Sequence, residues 1–176
     1  MGLYIMADPL RCFTAYDVRG RIPDELNSEI ARRIGLAFAD QFSLKKIVIG
    51  RDMRLTSPEL AGAVSETVIQ HGTDVLDIGL SGTEEMYHAV FSNEGRGVDG
   101  GIMVTASHNP ADYNGMKLVR RGARPVSSDS GLREIAEKAA SDSWFADHVR
   151  RTAGRPGNLE SVLDKTSYLD HLLDFI

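Results

Sequence analysis

In the stretch G-G-I-M-V-T-A-S-H-N-P-A-D-Y-N-G-M-K, Gly100 to Lys117, an apolar run leads into Ser107, His108 and Asn109, breaks at Pro110 and ends on a lysine shortly after a glycine. Ser107 brings a hydroxyl, His108 a titratable ring, Asn109 an amide and Lys117 a cation. Pro110 has no amide hydrogen and stops the loop from continuing as regular structure. The cluster is a polar group with a purpose. The plainer reading is a decorated turn whose serine and asparagine satisfy only the local backbone, with Lys117 a solvated edge-strand lysine.

Two other chemistries do not fit. A serine hydrolase needs a base facing the serine from elsewhere in the fold and an exposed G-x-S-x-G elbow, and adjacent Ser107 and His108 do not supply that geometry. Gly95-Arg96-Gly97-Val98-Asp99-Gly100 spells G-x-G-x-x-G. It follows a helical pattern and opens a strand, the reverse of a dinucleotide fingerprint, so these are turn glycines. No G-x-x-x-x-G-K-[ST] loop occurs.

The elements that must position Ser107 follow from periodicity. Ile30, Ile34, Ala37, Phe38 and Phe42 form one helical stripe behind Asn27 and Ser28 as caps, and Ile47-Val48-Ile49 is a short buried strand. Ser57-Pro58-Glu59 starts a second helix that runs to Gly72. Val75 to Leu80 is the next strand, Thr83-Glu84-Glu85 opens a helix with Met86, Tyr87, Val90 and Phe91 inward, and Ile102 to Val104 is a strand. Met116 to Val119 and the segment around Pro125 pair across a turn at Arg121-Gly122, and Gly131 to Ala140 is helical. The alternation predicts an α/β fold: a mainly parallel, mixed sheet sandwiched by helices. Ser107 then falls at the carboxyl end of a strand, where ligands gather in open sheets.

Bulk composition narrows the function classes. The chain has 176 residues, 42% hydrophobic and 26% charged, enough for one core. A net charge of -5 lacks the broad basic footprint of a nucleic-acid binder, so an anion site must be local. The single cysteine, Cys12, excludes an internal disulfide and a cysteine-based zinc cluster and fits a reducing compartment. No apolar run approaches the ~20 residues needed to span a bilayer, and Met1 to Pro9 lacks a signal-peptide pattern, so the expected location is the cytoplasm.

T-A-S-H-N-P followed by D-Y-N-G-x-K resembles the active-site loop of the α-D-phosphohexomutases, and C-F-T-A-Y-D-V-R-G, Cys12 to Gly20, is similar to the start of their phosphomannomutase/phosphoglucomutase branch. G-R-D-M-R-L-T-S at Gly50 to Ser57 and D-V-L-D-I-G-L-S-G-T-E-E at Asp74 to Glu85 extend the resemblance over nearly the whole chain, in particular to bacterial phosphomannomutases that feed GDP-mannose synthesis. Glu84 stands where many members place proline, which marks the GDP-mannose group.

The resemblance implies a phosphoserine enzyme that interconverts hexose 6-phosphate and hexose 1-phosphate, mannose or glucose, through a 1,6-bisphosphate. Ser107 would carry the phosphoryl group and give Mg²⁺ one ligand through its phosphate. Arg19 and Lys117 would stabilise phosphoryl oxygens or help move the proton of the attacking hydroxyl, His108 and Asn109 would shape the loop, and Tyr16 would lend support. Arg51, Asp52 and Arg54 are expected to form an ion cluster that orients the loop. The family's metal loop D-G-D-x-D-R and its later sugar and phosphate loops do not occur here. The expected organisation is an N-terminal domain over residues 1–154, then a linker and the start of a helix over 155–176 leading to further domains. A mutase of glucose phosphates and a non-catalytic phosphosugar-binding domain are the alternatives.

Overall fold

Asn27 accepts a hydrogen bond from the Ile30 amide at 3.0 Å and so caps α1 (Ser28–Gln41). The computed structural model describes residues 11–150 and 154–176. Through them run β1 (Val18–Arg21), α1, β2 (Lys46–Arg51), α2 (Ser57–Gln70), β3 (Asp74–Leu80), α3 (Thr83–Ser92), β4 (Gly100–Val104), β5 (Tyr113–Arg120), β6 (Arg124–Pro125), α4 (Leu132–Ala140), α5 (Asp142–Arg150), β7 (Leu159–Ser161) and α6 (Thr166–Leu173). Pro58 sits in the first turn of α2, where its missing amide hydrogen costs nothing.

The strands make one sheet in the order β1-β5-β4-β2-β3-β7, with β6 paired to β5. The β4, β2, β3 and β7 neighbours are parallel, whereas β5 runs antiparallel to β4, β1 and β6. One face of the sheet packs under α1, α2 and α4, with Ile34, Phe38, Leu60, Val64, Ile47 and Ile49 in its core. Met86 and Val90 of α3 cover the other face against Val48, Leu76 and Met103. Because β4 is buried along its whole length between these layers, the chain can leave it only at its carboxyl end, where Ser107 lies.

The expected α/β sandwich is present, and three local expectations differ. Phe91, read as inward, is 66% exposed, because Met86 and Val90 already fill the seam between α3 and the sheet. The segment after Arg155, read as a linker, contributes β7, which extends the parallel edge by pairing Val75 with Leu159 and Asp77 with Ser161. Helix α5, which periodicity did not announce, has no fully buried residue. The G-x-G-x-x-G spelling holds a 3-10 turn, with Gly97 in the left-handed region at φ 86°. Among the described residues no helix is long and apolar enough to cross a membrane.

Candidate active site

Ser107 stands just past β4 with its side chain exposed, and its backbone lies in the left-handed region at φ 54°, which is unfavourable for a residue with a Cβ. Its amide donates to Thr105 Oγ1 at 2.9 Å, and Asn109 N donates to the Ala106 carbonyl at 3.0 Å, closing a tight turn. The Ser107 Oγ to His108 Nδ1 separation is 3.4 Å, a long approach between two exposed side chains. His108 is therefore a loop neighbour of the hydroxyl, and Asn109 is half-buried in the same turn.

β1 and β5 bring the cations to this end of the sheet. Their antiparallel register sets Arg19 opposite Gly115, two residues before Lys117. Arg19 Nη1 donates to the Thr105 carbonyl at 2.7 Å, two residues from Ser107, while its Nη2 and Nε reach Asp17 Oδ2 at 2.8 and 3.2 Å. Lys117 Nζ donates to the same Asp17 oxygen at 3.0 Å. Gly115 permits this crossing, because a Cβ there would lie 2.1 Å from the Val18 carbonyl and 3.1 Å from Arg19 Cδ.

Asp17 is the hub of the group. Burial raises its pKa, but hydrogen bonds from Arg19 and Lys117, Arg19's charge and a hydrogen bond from Thr14 outweigh burial and hold the carboxyl below its ordinary value of 3.8. Two cations thus share one carboxylate, an arrangement with positive charge left over for an incoming anion. Tyr87 of α3 stands near enough that, with burial and Glu84, the Asp17 charge raises its phenol pKa. The sequence alone does not single out Asp17 as this hub, since Lys117 stands 100 positions away.

A second network lies beneath the loop. Asp52 accepts from Ser57 Oγ at 2.5 Å and from the Arg54 amide at 3.1 Å. Burial raises the Asp52 pKa, yet hydrogen bonds from Ser57, Thr105 and the Arg54 backbone bring it below 3.8. Fully buried Asn114 donates to Thr56 Oγ1 at 2.8 Å and to Ser57 Oγ at 3.0 Å. Arg54 pairs with Asp52 at 3.4 Å and binds the loop through main-chain carbonyls. Of the expected ion cluster of Arg51, Asp52 and Arg54, only Asp52 and Arg54 pair, and among the described residues Arg51 makes no ion pair; Asn114 and Thr105 were not singled out, because neither carries a charge.

The remaining candidates are placed less centrally. Tyr16 is 78% exposed on the turn before β1, and among the described residues its side chain makes no hydrogen bond or ring contact. Ser107 lines neither of two concavities, one between α3 and α6 containing His88 and Lys165, the other containing Phe42 and Arg120. Among the described residues no three His, Cys, Asp or Glu side chains converge on a point that could hold a metal. The residues here therefore do not form a divalent-cation site by themselves; a phosphate on Ser107 would be a single hard ligand.

Comparison with known proteins gives the family. Residues 10–145 match the family described as phosphoglucomutase/phosphomannomutase, alpha/beta/alpha domain I. The chain is 51% identical over 168 residues to a phosphomannomutase of Escherichia coli strain K12, covering 95% of this chain and 35% of that protein. It is also 51% identical over 163 residues to a Klebsiella pneumoniae phosphomannomutase, covering 92% of this chain and 98% of that one. A crystal structure of a phosphoglucomutase/phosphomannomutase family protein from Burkholderia thailandensis superposes with a TM-score of 0.79 at 34% identity, over 95% of this chain and 36% of the other. The chain thus spans about a third of the length of the first relatives it matches. With an exposed serine at a strand's carboxyl end, two cations tied beside it and these matches over nearly its full length, the chain belongs to the phosphoglucomutase/phosphomannomutase family.

Proposed function

We propose that Ser107 carries a phosphoryl group and that this chain supplies the phosphoserine part of a phosphomannomutase, converting mannose 6-phosphate to mannose 1-phosphate through a 1,6-bisphosphate. The observation that carries this reading is the pinning of Arg19 to the Thr105 carbonyl while it shares Asp17 with Lys117. Arg19 is held at the residue two before exposed Ser107, and one carboxylate balances it and Lys117 together. A phosphoserine of about -1.5 to -2 charge would complete that balance.

The chemistry is an exchange of one P–O bond for another. A sugar hydroxyl attacks the phosphorus in line, the bond to Ser107 Oγ breaks, and the hydroxyl's proton leaves as the new P–O bond forms. The proton ends on the departing Ser107 oxygen, while Arg19 and Lys117 stabilise the charge spread over the phosphoryl oxygens and, as cations, ease the proton's departure from the attacking hydroxyl. His108 and Asn109 hold the loop's shape, and Tyr16 offers an exposed aromatic surface to a bound sugar. Return of the second phosphoryl group regenerates phosphoserine and releases the isomeric monophosphate.

Mg²⁺ belongs to this reading as the counter-ion of the Ser107 phosphate, where it would neutralise charge on the transferred group. Its other ligands would come from domains that follow, with residues 1–154 forming the phosphoserine domain and 155–176 the passage onward, which begins by adding β7 to the sheet. The name phosphomannomutase, carried by several relatives, supports mannose as the sugar; GDP-mannose supply and a cytoplasmic setting belong to the same proposal. Intact-mass analysis with site mapping on the full-length enzyme tests the reading. Phosphate on Ser107 and loss of mutase turnover in Ser107→Ala are expected; phosphate on another residue, or full activity in that variant, overturns it.

A further inference from the structure

Four of the five N–H donors of Arg54 go to the backbone of one loop. Nη1 donates to the Pro110 and Tyr113 carbonyls at 2.7 and 2.9 Å, and Nη2 to the Ser107 and Asn109 carbonyls at 3.1 and 2.6 Å. Nε faces Asp52 Oδ2 at 3.4 Å. The side chain is 14% exposed. A guanidinium has five donors, so the loop takes both donors of Nη1 and both of Nη2, and Asp52, facing Nε, offsets the charge. This separates Arg54 from Arg19, which makes three hydrogen bonds, and from Lys117, which makes one.

A loop that carries a phosphoryl group must turn its carbonyl oxygens away from it, since these bear partial negative charge and a peptide chain holds one for every residue. Arg54 gathers four of them on one side. It also fixes the residue that matters most: the Ser107 amide is tied to Thr105 Oγ1, its carbonyl is tied to Arg54, and φ between them is 54°. A non-glycine residue occupies that region only when its surroundings hold it there. The left-handed turn leaves Ser107 exposed while Ala106, its neighbour, is fully buried. Asp52 supports Arg54 from the other side, for it pairs with its guanidinium and accepts from its amide at 3.1 Å.

We propose that Arg54 is a positioning residue for phosphoryl transfer: by drawing the carbonyls of Ser107, Asn109, Pro110 and Tyr113 to its own side, it holds Ser107 in the left-handed conformation that presents its oxygen to the sugar phosphate. The role rests on the phosphoryl-transfer reading of Ser107. Lysine cannot replace it, having a single ammonium where four carbonyls need a planar fork.

The test uses Arg54→Met, Arg54→Lys and Arg54→Ala with two independent readouts. In the 176-residue chain, amide NMR is expected to show the His108, Asn109 and Asp112 signals shifted or broadened in all three variants while core amides such as Val48 and Leu76 stay in place. In the full-length mutase, turnover is expected to fall on the order of 10²-fold with KM changed less than about 3-fold, lysine is expected not to rescue it, and added guanidinium ion is expected to restore turnover to Arg54→Ala at least several-fold. Turnover within about 3-fold of wild type, full rescue by lysine, or unmoved loop amides overturns the proposal. Loss of the core amides in every variant also overturns it, by making Arg54 a residue of the fold. A wild-type enzyme without phosphate on Ser107 defeats the phosphoryl-transfer reading instead, and the loop amides then still decide whether Arg54 sets the turn.

Discussion

Lys117 and Asp17 stand 100 positions apart in the chain, and the ammonium donates to the carboxylate at 3.0 Å. The pair forms because β1 lies beside β5 with Val18 opposite Met116, which puts the flanking Asp17 and Lys117 on the same side of the sheet. Arg19, two residues along β1, joins the same oxygen. An anion at Ser107 would meet cations already ordered by Asp17, with less side-chain entropy left to lose on binding.

Lys117→Met is expected to slow phosphoryl transfer far more than it weakens the fold. The side chain is 30% exposed, so its ion pair adds little to stability, whereas removing a charge-assisted hydrogen bond from a transition state slows the reaction about 10²-fold or more. Mutase kinetics of the full-length variant beside its thermal melt check this. Wild-type turnover with a large fall in Tm would make the lysine structural.

Asp17→Asn should show itself through pH. Asp17 and Asp52 have folded pKa values below the ordinary 3.8, so each contributes stability that is present above that value and lost as pH falls through it toward the folded pKa. Melting temperatures followed from pH ~7 down to ~2.5 should drop more steeply in wild type than in Asp17→Asn, and the two curves should approach each other at the acid end. Parallel curves throughout would remove Asp17 from the acid transition.

Gly115→Ala places a methyl 2.1 Å from the Val18 carbonyl and 2.9 Å from the Thr105 carbonyl, both backbone atoms that cannot swing aside. β1 must then move off β5 and carry Arg19 away from Thr105. A loss of roughly 3 kcal/mol or more is expected in denaturant unfolding, with turnover falling in whatever fraction remains folded. A change below ~1 kcal/mol would mean that the strands separate more easily than their packing implies.

Asn114→Ala removes a fully buried amide that donates to Thr56 and Ser57 and accepts the Gly115 amide at 2.8 Å. Because Gly115 N then lacks its side-chain acceptor and Ser57 loses a donor beside Asp52, about 2 kcal/mol of stability should go. Urea unfolding measures it, and an unchanged midpoint would point to water taking the place of the amide.

The local elements were legible because their signals are local. Asn27 ahead of a helical stripe, Pro58 behind Ser57 and the buried run through Ile102 each act over a few residues, and α1, α2 and β4 followed. Ser107 was legible for the same reason, at the end of that run. Asp17's place between Arg19 and Lys117 was not, since register between distant strands leaves no mark in either segment alone. Asn114 escaped notice because its task is to satisfy hydroxyls contributed by the start of α2. Phe91 followed the helical period but lies beyond the reach of the sheet, and the three residues of β7 are too few to show a pattern.

β7 carries a practical lesson about where this chain can be cut. Val75 N donates to the Asn158 carbonyl, Val162 N to the Asp77 carbonyl, and Lys46 reaches Glu160 at 3.1 Å, so the outermost parallel strand is fastened at both ends and across its width. A recombinant piece stopped near Arg155, where glycine and proline invite a boundary, would strip that strand away and leave the donors and acceptors of β3 facing solvent as a template for another molecule. Expression boundaries set past Asp164 keep this row covered, and a preparation that precipitates when shortened to Arg155 would do so through β3.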